Sequence, residues 1–162
     1  MHNKNILEVK DLHVSFDTRR GEVRAVNGLS FELEAGKTLG IVGESGSGKS
    51  VSMNAVMGLV RDSNVKISGE VFFKGEDLLK RSDDEMRKVR GKEIAMVFQD
   101  PMGSLNPRWT LGQSIAEPLY AERLDRKTKE QRVINALQEV GLDAGFAARY
   151  PHQVSGGQAQ RA

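Results

Sequence analysis

Hydrophobic and polar residues alternate in the first part of the chain, and this pattern predicts antiparallel strands. Over residues 6–34 the alternating apolar positions are Leu7, Val9, Leu12, Val14, Phe16, Leu29, Phe31 and Leu33. Because every second residue of a strand faces the same side, the spacing indicates a sheet with one buried face. The phase slips between Val9 and Leu12, which predicts a β-bulge or bend. Polar turns are expected at residues 17–21 and 34–37.

Two later segments are almost entirely apolar, which predicts strands that are buried on both faces of a parallel sheet. They are residues 38–42 and 94–98. A glycine-rich loop follows the first segment, and residues 51–59 then have the apolar spacing of a helix. Strand, loop and helix together predict the opening of a βαβ unit. Residues 67–74 predict a further strand, which Gly75 would end.

Capping signals predict two helices in the rest of the chain. Residues 82–85 have capping-box spacing, and Gly91 would end the short helix that follows them. Residues 128–131 have similar spacing ahead of a second helix, which Gly141 would end. The apolar positions of that second helix share one face and are Val133, Ile134, Leu137 and Val140. The charged residues 122–132 indicate a solvated loop and helix face.

Composition narrows the class of protein without identifying a function. The 162 residues are 38% hydrophobic and 28% charged, an ordinary balance for a soluble domain. The net charge of +2 is too small to predict binding to nucleic acid or to an anionic membrane surface. The absence of cysteine excludes disulfides, thiolate metal sites and cysteine nucleophiles. We expect no signal peptide and no transmembrane helix, since no apolar run approaches the ~20 residues that a span needs.

Residues 43–50 match the phosphate-binding pattern G-x-x-x-x-G-K-S/T. Glycines allow the backbone to curve around an anion with its N–H groups pointing inward. Lys49 would neutralise the β- and γ-phosphates, and the Ser50 hydroxyl would bind Mg²⁺. A chance glycine-rich turn is the alternative, but the apolar segment before the loop and the helix after it favour phosphate binding. The nucleotide-binding candidates in this stretch are Gly43, Glu44, Ser45, Gly46, Ser47, Gly48, Lys49, Ser50 and Val51.

Three further segments resemble the ABC ATPases when they are taken together with the phosphate loop. Residues 154–158 look like the L-S-G-G-Q signature of that family, with valine in place of the usual leucine. Residues 98–101 look like its Q-loop, and Phe16 falls where the family places an aromatic residue that stacks on adenine. Singly, these features would indicate a flexible turn, a strand-end glutamine and a core aromatic. Their order along the chain carries the resemblance, which extends from about residue 6 to residue 162.

A subgroup of the family matches more closely. Residues 99–107 are similar to the Q-D-P-x-x-S-L-N-P stretch of the oligopeptide and dipeptide importer ATPases. Residues 150–153, just before the signature, are also typical of that subgroup. Glutathione and nickel importers share these features. The motifs therefore do not determine which solute of the peptide and nickel group is transported.

The resemblance implies an α/β fold of the P-loop NTPase class, in the form of an ABC nucleotide-binding domain. An N-terminal antiparallel β subdomain is expected at approximately residues 1–37 and 65–80. The P-loop core would comprise residues 38–60 and 92–99. Residues 100–162 would form an α-helical subdomain that ends at the signature. Relative to the family's domain, residues 1–162 would stop before the Walker B strand.

The resemblance also implies a partner and a mechanism. Two ABC ATPase domains, identical or different, would face each other head to tail, with each ATP between one P-loop and the opposite signature. Gln99 would reach Mg²⁺ and the attacking water, so Gln99 and Lys49 are the catalytic candidates and Ser50 and Gln99 the metal-binding candidates. The signature residues that would contact the partner's ATP are Ser155, Gly156, Gly157 and Gln158. Transmembrane permease subunits and, indirectly, a solute-binding protein are the other implied partners, and nucleic acid is not one of them.

A peripheral location at the cytoplasmic face of the inner membrane follows from the same resemblance. The 162 residues include no Walker B aspartate, no adjacent catalytic glutamate and no switch histidine. We therefore expect the isolated chain to bind ATP but to hydrolyse it poorly, and to expose the apolar segments 39–42 and 94–98. Two alternatives stay open: a nucleotide-binding module without catalysis, and a soluble ABC ATPase that acts in DNA repair or translation.

Overall fold

The computed structural model describes residues 4–162, which form two compact units with a boundary between Met96 and Val97. The first unit contains a four-stranded antiparallel sheet in the order β2-β1-β3-β4. Its strands are β1 (Asn5–Thr18), β2 (Gly21–Glu34), β3 (Val65–Phe73) and β4 (Glu76–Asp77). Its helices are α1 (Lys49–Val56), a short 3₁₀ helix (Leu78–Lys80) and α2 (Asp83–Val89).

The core of the first unit lies between one face of this sheet and the helices. The buried members from the sheet are Val9, Leu12, Val14, Val26, Val71 and Phe73. The buried members from the helical segments are Ala55, Val56, Leu78, Met86 and Val89. Burying a side chain such as Leu12 stabilises the fold by about 1.5–3 kcal/mol. This packing fixes the start of α1, and with it the phosphate loop, against the sheet.

The bulge that the sequence predicts between Val9 and Leu12 is present in β1, where the pairing register with β2 shifts. Asp11 has a positive φ of 49° at this point, which is uncommon for a residue other than glycine. On β3, Gly69 has a φ of 106°, and a Cβ there would lie 2.4 Å from the carbonyl oxygen of Asp11. On β2, Gly28 has a φ of 75°. We call this line across three strands, Asp11 with Gly28 and Gly69, the sheet crease.

The two apolar segments are not strands, so that prediction is wrong. Residues 38–42 have no regular secondary structure, and residues 94–98 have none beyond the isolated bridge of Ile94 with Arg90. Val42 is 94% exposed and Val97 is 81% exposed, which confirms the expected exposure of these segments. A strand becomes buried in a parallel sheet only when neighbouring strands flank it. Within residues 4–162, no strand pairs with either segment.

The second unit is helical and has its own core. Its α-helices are α3 (Pro101–Ser104), α4 (Leu111–Ala116), α5 (Arg126–Glu139) and α6 (Gly156–Arg161). Its short 3₁₀ helices are Glu117–Ala121, Ala144–Ala148 and Pro151–Gln153. The buried core residues are Leu111, Val133, Leu137, Leu142 and Phe146. The described helices are too short or too polar to cross a bilayer, and the longest of them, α5, has 14 residues.

The helix caps confirm one sequence prediction and correct another. The capping box of α2 is present, because Ser82 Oγ accepts from Glu85 N and the Glu85 carboxylate accepts from Ser82 N. Helix α5 begins earlier than the sequence predicts, with Asp125 as its cap. Thr128 instead donates its backbone N–H to Asp125 Oδ1 at 3.0 Å and its hydroxyl to Oδ2 at 2.6 Å. An aspartate three residues upstream caps a helix at least as well as a threonine, so the earlier start prevails.

Candidate nucleotide-binding site

The phosphate loop is an exposed turn that leads directly into α1. Gly48 is the N-cap of this helix and has the left-handed conformation, with φ 89° and ψ 0°. Gly46 is also left-handed, with φ 82°. The N–H groups of the first helical turn have no intrahelical partner, so those of Lys49, Ser50 and Val51 are available to an anion. Glycine allows the two left-handed residues without the steric cost that a Cβ would add.

Lys49 spans this loop with its side chain. The Lys49 ammonium nitrogen donates to the carbonyl oxygens of Gly43 and Glu44, each at 2.7 Å. It also lies 3.3 Å from the hydroxyl oxygen of Ser47. Through these three contacts the Lys49 ammonium links the start of the loop to its end. A single cationic group therefore lies within the loop that the sequence predicts to bind phosphate.

Gly48 is held by close contacts on two sides. A Cβ at this position would lie 2.4 Å from the carbonyl oxygen of Ala25 on β2, closer than any side chain can approach. The Gly48 carbonyl oxygen accepts two hydrogen bonds from Ser52, one from its backbone N–H at 2.8 Å and one from its hydroxyl at 2.9 Å. Ser52 is only 3% exposed. The loop therefore joins the helix through a peptide that is hydrogen-bonded to the helix and lies close against the sheet.

The predicted metal-binding side chains are exposed. Ser50 lies in the first turn of α1, in the first unit, and Gln99 precedes α3 in the second unit. In the part of the chain that the structure describes, no three His, Cys, Asp or Glu side chains cluster in a way that would hold a metal ion. A hydroxyl and a carboxamide offer oxygen ligands, which suit Mg²⁺ when phosphate oxygens and water complete the shell. The donor types thus fit a metal that arrives with a nucleotide.

Phe16 lies near the end of β1 and is partly buried against the core of the first unit. Its cross-strand neighbours are Val23 on β2 and Val65 on β3. Val23 is 53% exposed, which is high for a large apolar side chain in a sheet. Phe16 and Val23 therefore form a pair that is partly packed and partly open. Such an apolar pair offers a surface for a planar ring.

The signature segment lies at the start of α6 in the second unit. Ser155 and Gln158 form a capping box, in which Gln158 N donates to Ser155 Oγ at 3.3 Å and Ser155 N donates to Gln158 Oε1 at 2.9 Å. Both side chains thus use an oxygen acceptor inside the box. Gly156 and Gly157 are exposed, and a Cβ at either position would meet no described atom within 4 Å.

A separate cavity of about 640 Å³ lies in the second unit among α4, α5 and the 3₁₀ helix Ala144–Ala148. Apolar side chains such as Ala116 and Val133 line it, together with Arg126 and Lys129. None of the predicted nucleotide-binding residues belongs to this cavity. The candidate site therefore rests on the phosphate loop and not on cavity size.

Comparison with protein families matches residues 26–162 to the family described as ABC transporter. The chain belongs to the ABC transporter family. The match begins within β2 and includes both the phosphate loop and the signature, so it covers most of the candidate site.

Curated proteins of similar sequence include peptide transport ATP-binding proteins. The chain is 47% identical to the dipeptide transport ATP-binding protein DppD of Lactococcus lactis subsp. cremoris, covering 100% of this chain and 48% of that protein. It is 46% identical to the oligopeptide transport ATP-binding protein OppD of Bacillus subtilis, covering 96% of this chain and 45% of that protein. The chain spans about half the length of the curated relatives that it matches.

Solved ABC cassettes share the fold. The dimeric structure of MJ0796, a bacterial ABC transporter cassette, matches with a TM-score of 0.82 and 27% identity. A dimeric post-hydrolysis state of the same cassette, bound to ADP and Pi, matches with a TM-score of 0.80 and 26% identity. Each match covers 96% of this chain and 66% of the solved chain. The α/β ABC ATPase fold that the sequence predicts is thereby confirmed.

The structure assigns the predicted ABC site residues to different units. Phe16 and the phosphate loop belong to the first unit, whereas Gln99 and the signature belong to the second. The structure adds two residues to the candidate site that the sequence analysis does not identify, Val23 and Ser52. Val23 looked like one more strand residue, and Ser52 looked like a polar residue in a helix. Only the cross-strand register and the buried hydroxyl contact distinguish them.

Proposed function

We propose that this chain is the ATP-binding part of an ABC importer that takes up peptides or related small solutes. The observation that carries the proposal is the phosphate loop, in which the Lys49 ammonium bridges the Gly43 and Glu44 carbonyls ahead of a helix start. The identity of 40–47% with dipeptide and oligopeptide transport ATP-binding proteins supports the solute class.

Within the first unit, we assign the triphosphate to the loop and the base to the apolar pair. Lys49 would neutralise the β- and γ-phosphates, while the N–H groups of the loop and of the first turn of α1 would bind their oxygens. Phe16 would stack on adenine, and Val23 would contact the same ring from the neighbouring strand. The side chain of Val51 packs against the core, which leaves its backbone N–H as the group for a phosphate.

Within the second unit, Gln99 and the signature would act on nucleotide at the dimer interface. The signature residues Ser155, Gly156, Gly157 and Gln158 would contact the γ-phosphate held by a second ABC ATPase domain, head to tail. Ser155 retains its O–H, and Gln158 retains its amide N–H groups, after the capping box has used their acceptors. Hydrogen-bond donors of this kind suit an anionic phosphate.

ATP hydrolysis would belong to the complete assembly. Bound Mg²⁺ would supply neutralisation of the developing phosphate charge, with Ser50 and Gln99 as its protein ligands. Gln99 would also orient the attacking water. Residues 1–162 do not themselves include the Walker B carboxylates, so we expect little turnover from these residues alone. Permease subunits at the inner face of a membrane, and a solute-binding protein beyond them, would complete the importer.

Equilibrium binding of MgATP to the purified chain tests the proposal. Wild-type chain is expected to give saturable binding, and Lys49→Ala is expected to abolish it, because the loop then lacks its only side-chain cation. Lys37→Ala is the matched control, since Lys37 is an exposed lysine that precedes the apolar segment, and among the described residues it donates only its backbone N–H, to Glu34. Wild-type chain that is folded by circular dichroism and yet binds no MgATP would overturn the proposal.

A further inference from the structure

Ser52 makes a double contact at the base of the phosphate loop. Its backbone N–H and its hydroxyl both donate to the carbonyl oxygen of Gly48, at 2.8 and 2.9 Å. The first bond is the ordinary first hydrogen bond of α1. The second is additional, and the residue that makes it is almost completely buried. One carbonyl oxygen is thus held from the helix side by two donors.

The direction of that carbonyl sets the direction of the next N–H. The peptide between Gly48 and Lys49 is planar and trans, so its C=O and its N–H point in opposite directions. Because Ser52 holds the Gly48 oxygen toward the body of α1, the Lys49 N–H points out of the helix end. The carbonyl of Ala25 restricts Gly48 from the sheet side. Rotation of this peptide would break both Ser52 bonds.

The additional bond does not serve the helix itself. A serine hydroxyl that bonds back to the preceding turn competes with the backbone and slightly destabilises a helix. Alanine at the same position would have higher helix propensity and would keep the N–H bond to Gly48. The hydroxyl therefore calls for a reason other than helix stability, and the peptide that it orients begins the phosphate loop.

We propose that Ser52 is a positioning residue for phosphate binding, which acts by fixing the Gly48–Lys49 peptide so that the Lys49 N–H faces the bound anion. The hydroxyl also polarises this peptide, because a carbonyl that accepts two hydrogen bonds makes the attached N–H a stronger donor. The inference rests on the proposed nucleotide site and adds to it a residue that itself touches no phosphate.

Substitution at Ser52 tests this role, with two ligands and a matched control. Ser52→Ala is expected to weaken binding of both MgATP and inorganic tripolyphosphate about three- to tenfold, the worth of one hydrogen bond. Ser52→Thr keeps the hydroxyl and is expected to restore the wild-type affinity. Ser114→Ala is the control, because Ser114 Oγ is buried in α4 without a hydrogen-bond partner among the described residues. It is expected to leave both affinities unchanged.

The amide signal of Lys49 gives a second readout that a purely structural role would not move. In ¹⁵N-labelled full chain, tripolyphosphate is expected to shift this signal downfield in the wild type and much less in Ser52→Ala. If Ser52→Ala lowers the unfolding temperature but leaves both affinities and this shift as in the wild type, Ser52 is structural and the inference is wrong. If wild type and Lys49→Ala bind equally, the nucleotide site itself fails, which is a distinct result.

Discussion

At the scale of the residue, Gly46 and Gly48 illustrate two separate demands on one loop. Both have the left-handed backbone that disfavours any residue with a Cβ. A Cβ at Gly46 would meet no described atom within 4 Å, whereas at Gly48 it would lie 2.4 Å from the Ala25 carbonyl oxygen. Gly46 is thus required by conformation alone, and Gly48 by conformation and by space.

Alanine substitution at each glycine separates these demands. Gly46→Ala is expected to lower the free energy of unfolding by about 1–2 kcal/mol, the cost of a left-handed non-glycine residue. Gly48→Ala is expected to cost more than twice as much, because the sheet and the helix must also move apart. Urea denaturation of the two variants measures the difference. Equal losses would show that the Ala25 contact relaxes easily and that the loop is less firmly anchored than its geometry indicates.

Ser52 shows why residue roles in the site were only partly predictable. The motif predicts phosphate and metal roles for Lys49 and Ser50, because its spacing reflects the backbone geometry that phosphate binding needs. The proposed role of Ser52 depends on the burial of its side chain and on its hydrogen bond to the Gly48 carbonyl. Neither can be inferred from the sequence pattern. Val23 likewise depends on its register opposite Phe16, which the shifts along β1 and β2 set.

At the scale of the element, helix α5 depends on its cap. Asp125 accepts from the Thr128 hydroxyl and from its backbone N–H, and these two contacts lower the pKa of the Asp125 carboxyl below its ordinary value. A carboxylate is also favoured at the positive end of the helix dipole. Gln131, the partner that the sequence suggested, instead bonds to Asn135 one turn later.

Acid titration of cap variants tests this assignment. Asp125→Ala is expected to lower the unfolding midpoint by several degrees at neutral pH, and Gln131→Ala to change it little. A lowered carboxyl pKa contributes stability above its unfolded value, and that contribution is lost as the pH falls through the folded value. Asp125→Asn keeps a capping oxygen and does not titrate, so wild type is expected to lose stability relative to it on acidification. If the difference in stability between wild type and Asp125→Asn stays constant from neutral to acidic pH, the Asp125 cap does not act as an ionised carboxylate.

Elements were predictable where the deciding interaction is local. The phase slip at Val9 and the capping box at Ser82 are both confirmed, because a strand period and a three-residue spacing can be read from neighbouring letters. The apolar pattern predicts buried strands at residues 38–42 and 94–98, but the described residues supply no strand to flank them. Hydrophobic pattern indicates that a segment favours burial, but it does not indicate which strand will cover it.

At the scale of the whole molecule, exposed apolar surface is the main departure from an ordinary soluble domain. Val42 is almost fully exposed in the first unit, and Val97 is largely exposed in the second. Neither side chain contributes to the core of its own unit. Such surfaces favour association with other chains.

A charge at the exposed segment is expected to reduce self-association. Val42→Lys removes apolar surface without opening a cavity, so the weight-average mass of the isolated chain at high concentration is expected to fall toward that of a monomer. Sedimentation velocity over a tenfold concentration range measures it. Val23→Lys adds the same charge at an apolar residue outside the segment and is expected to have a smaller effect. If the two substitutions lower the weight-average mass equally, the change comes from net charge alone.

The sheet crease has a consequence for the order in which the chain assembles. β1 and β2 are joined by a short turn and can pair early, whereas β3 arrives only after the loop and α1 have been traversed. When β3 docks, Gly69 must meet the Asp11 carbonyl, since a slip of one residue would place the Cβ of Ser68 or Glu70 against that oxygen. The crease therefore fixes the register of β3 on β1, because a strand that docks one residue out of register would clash with this carbonyl oxygen.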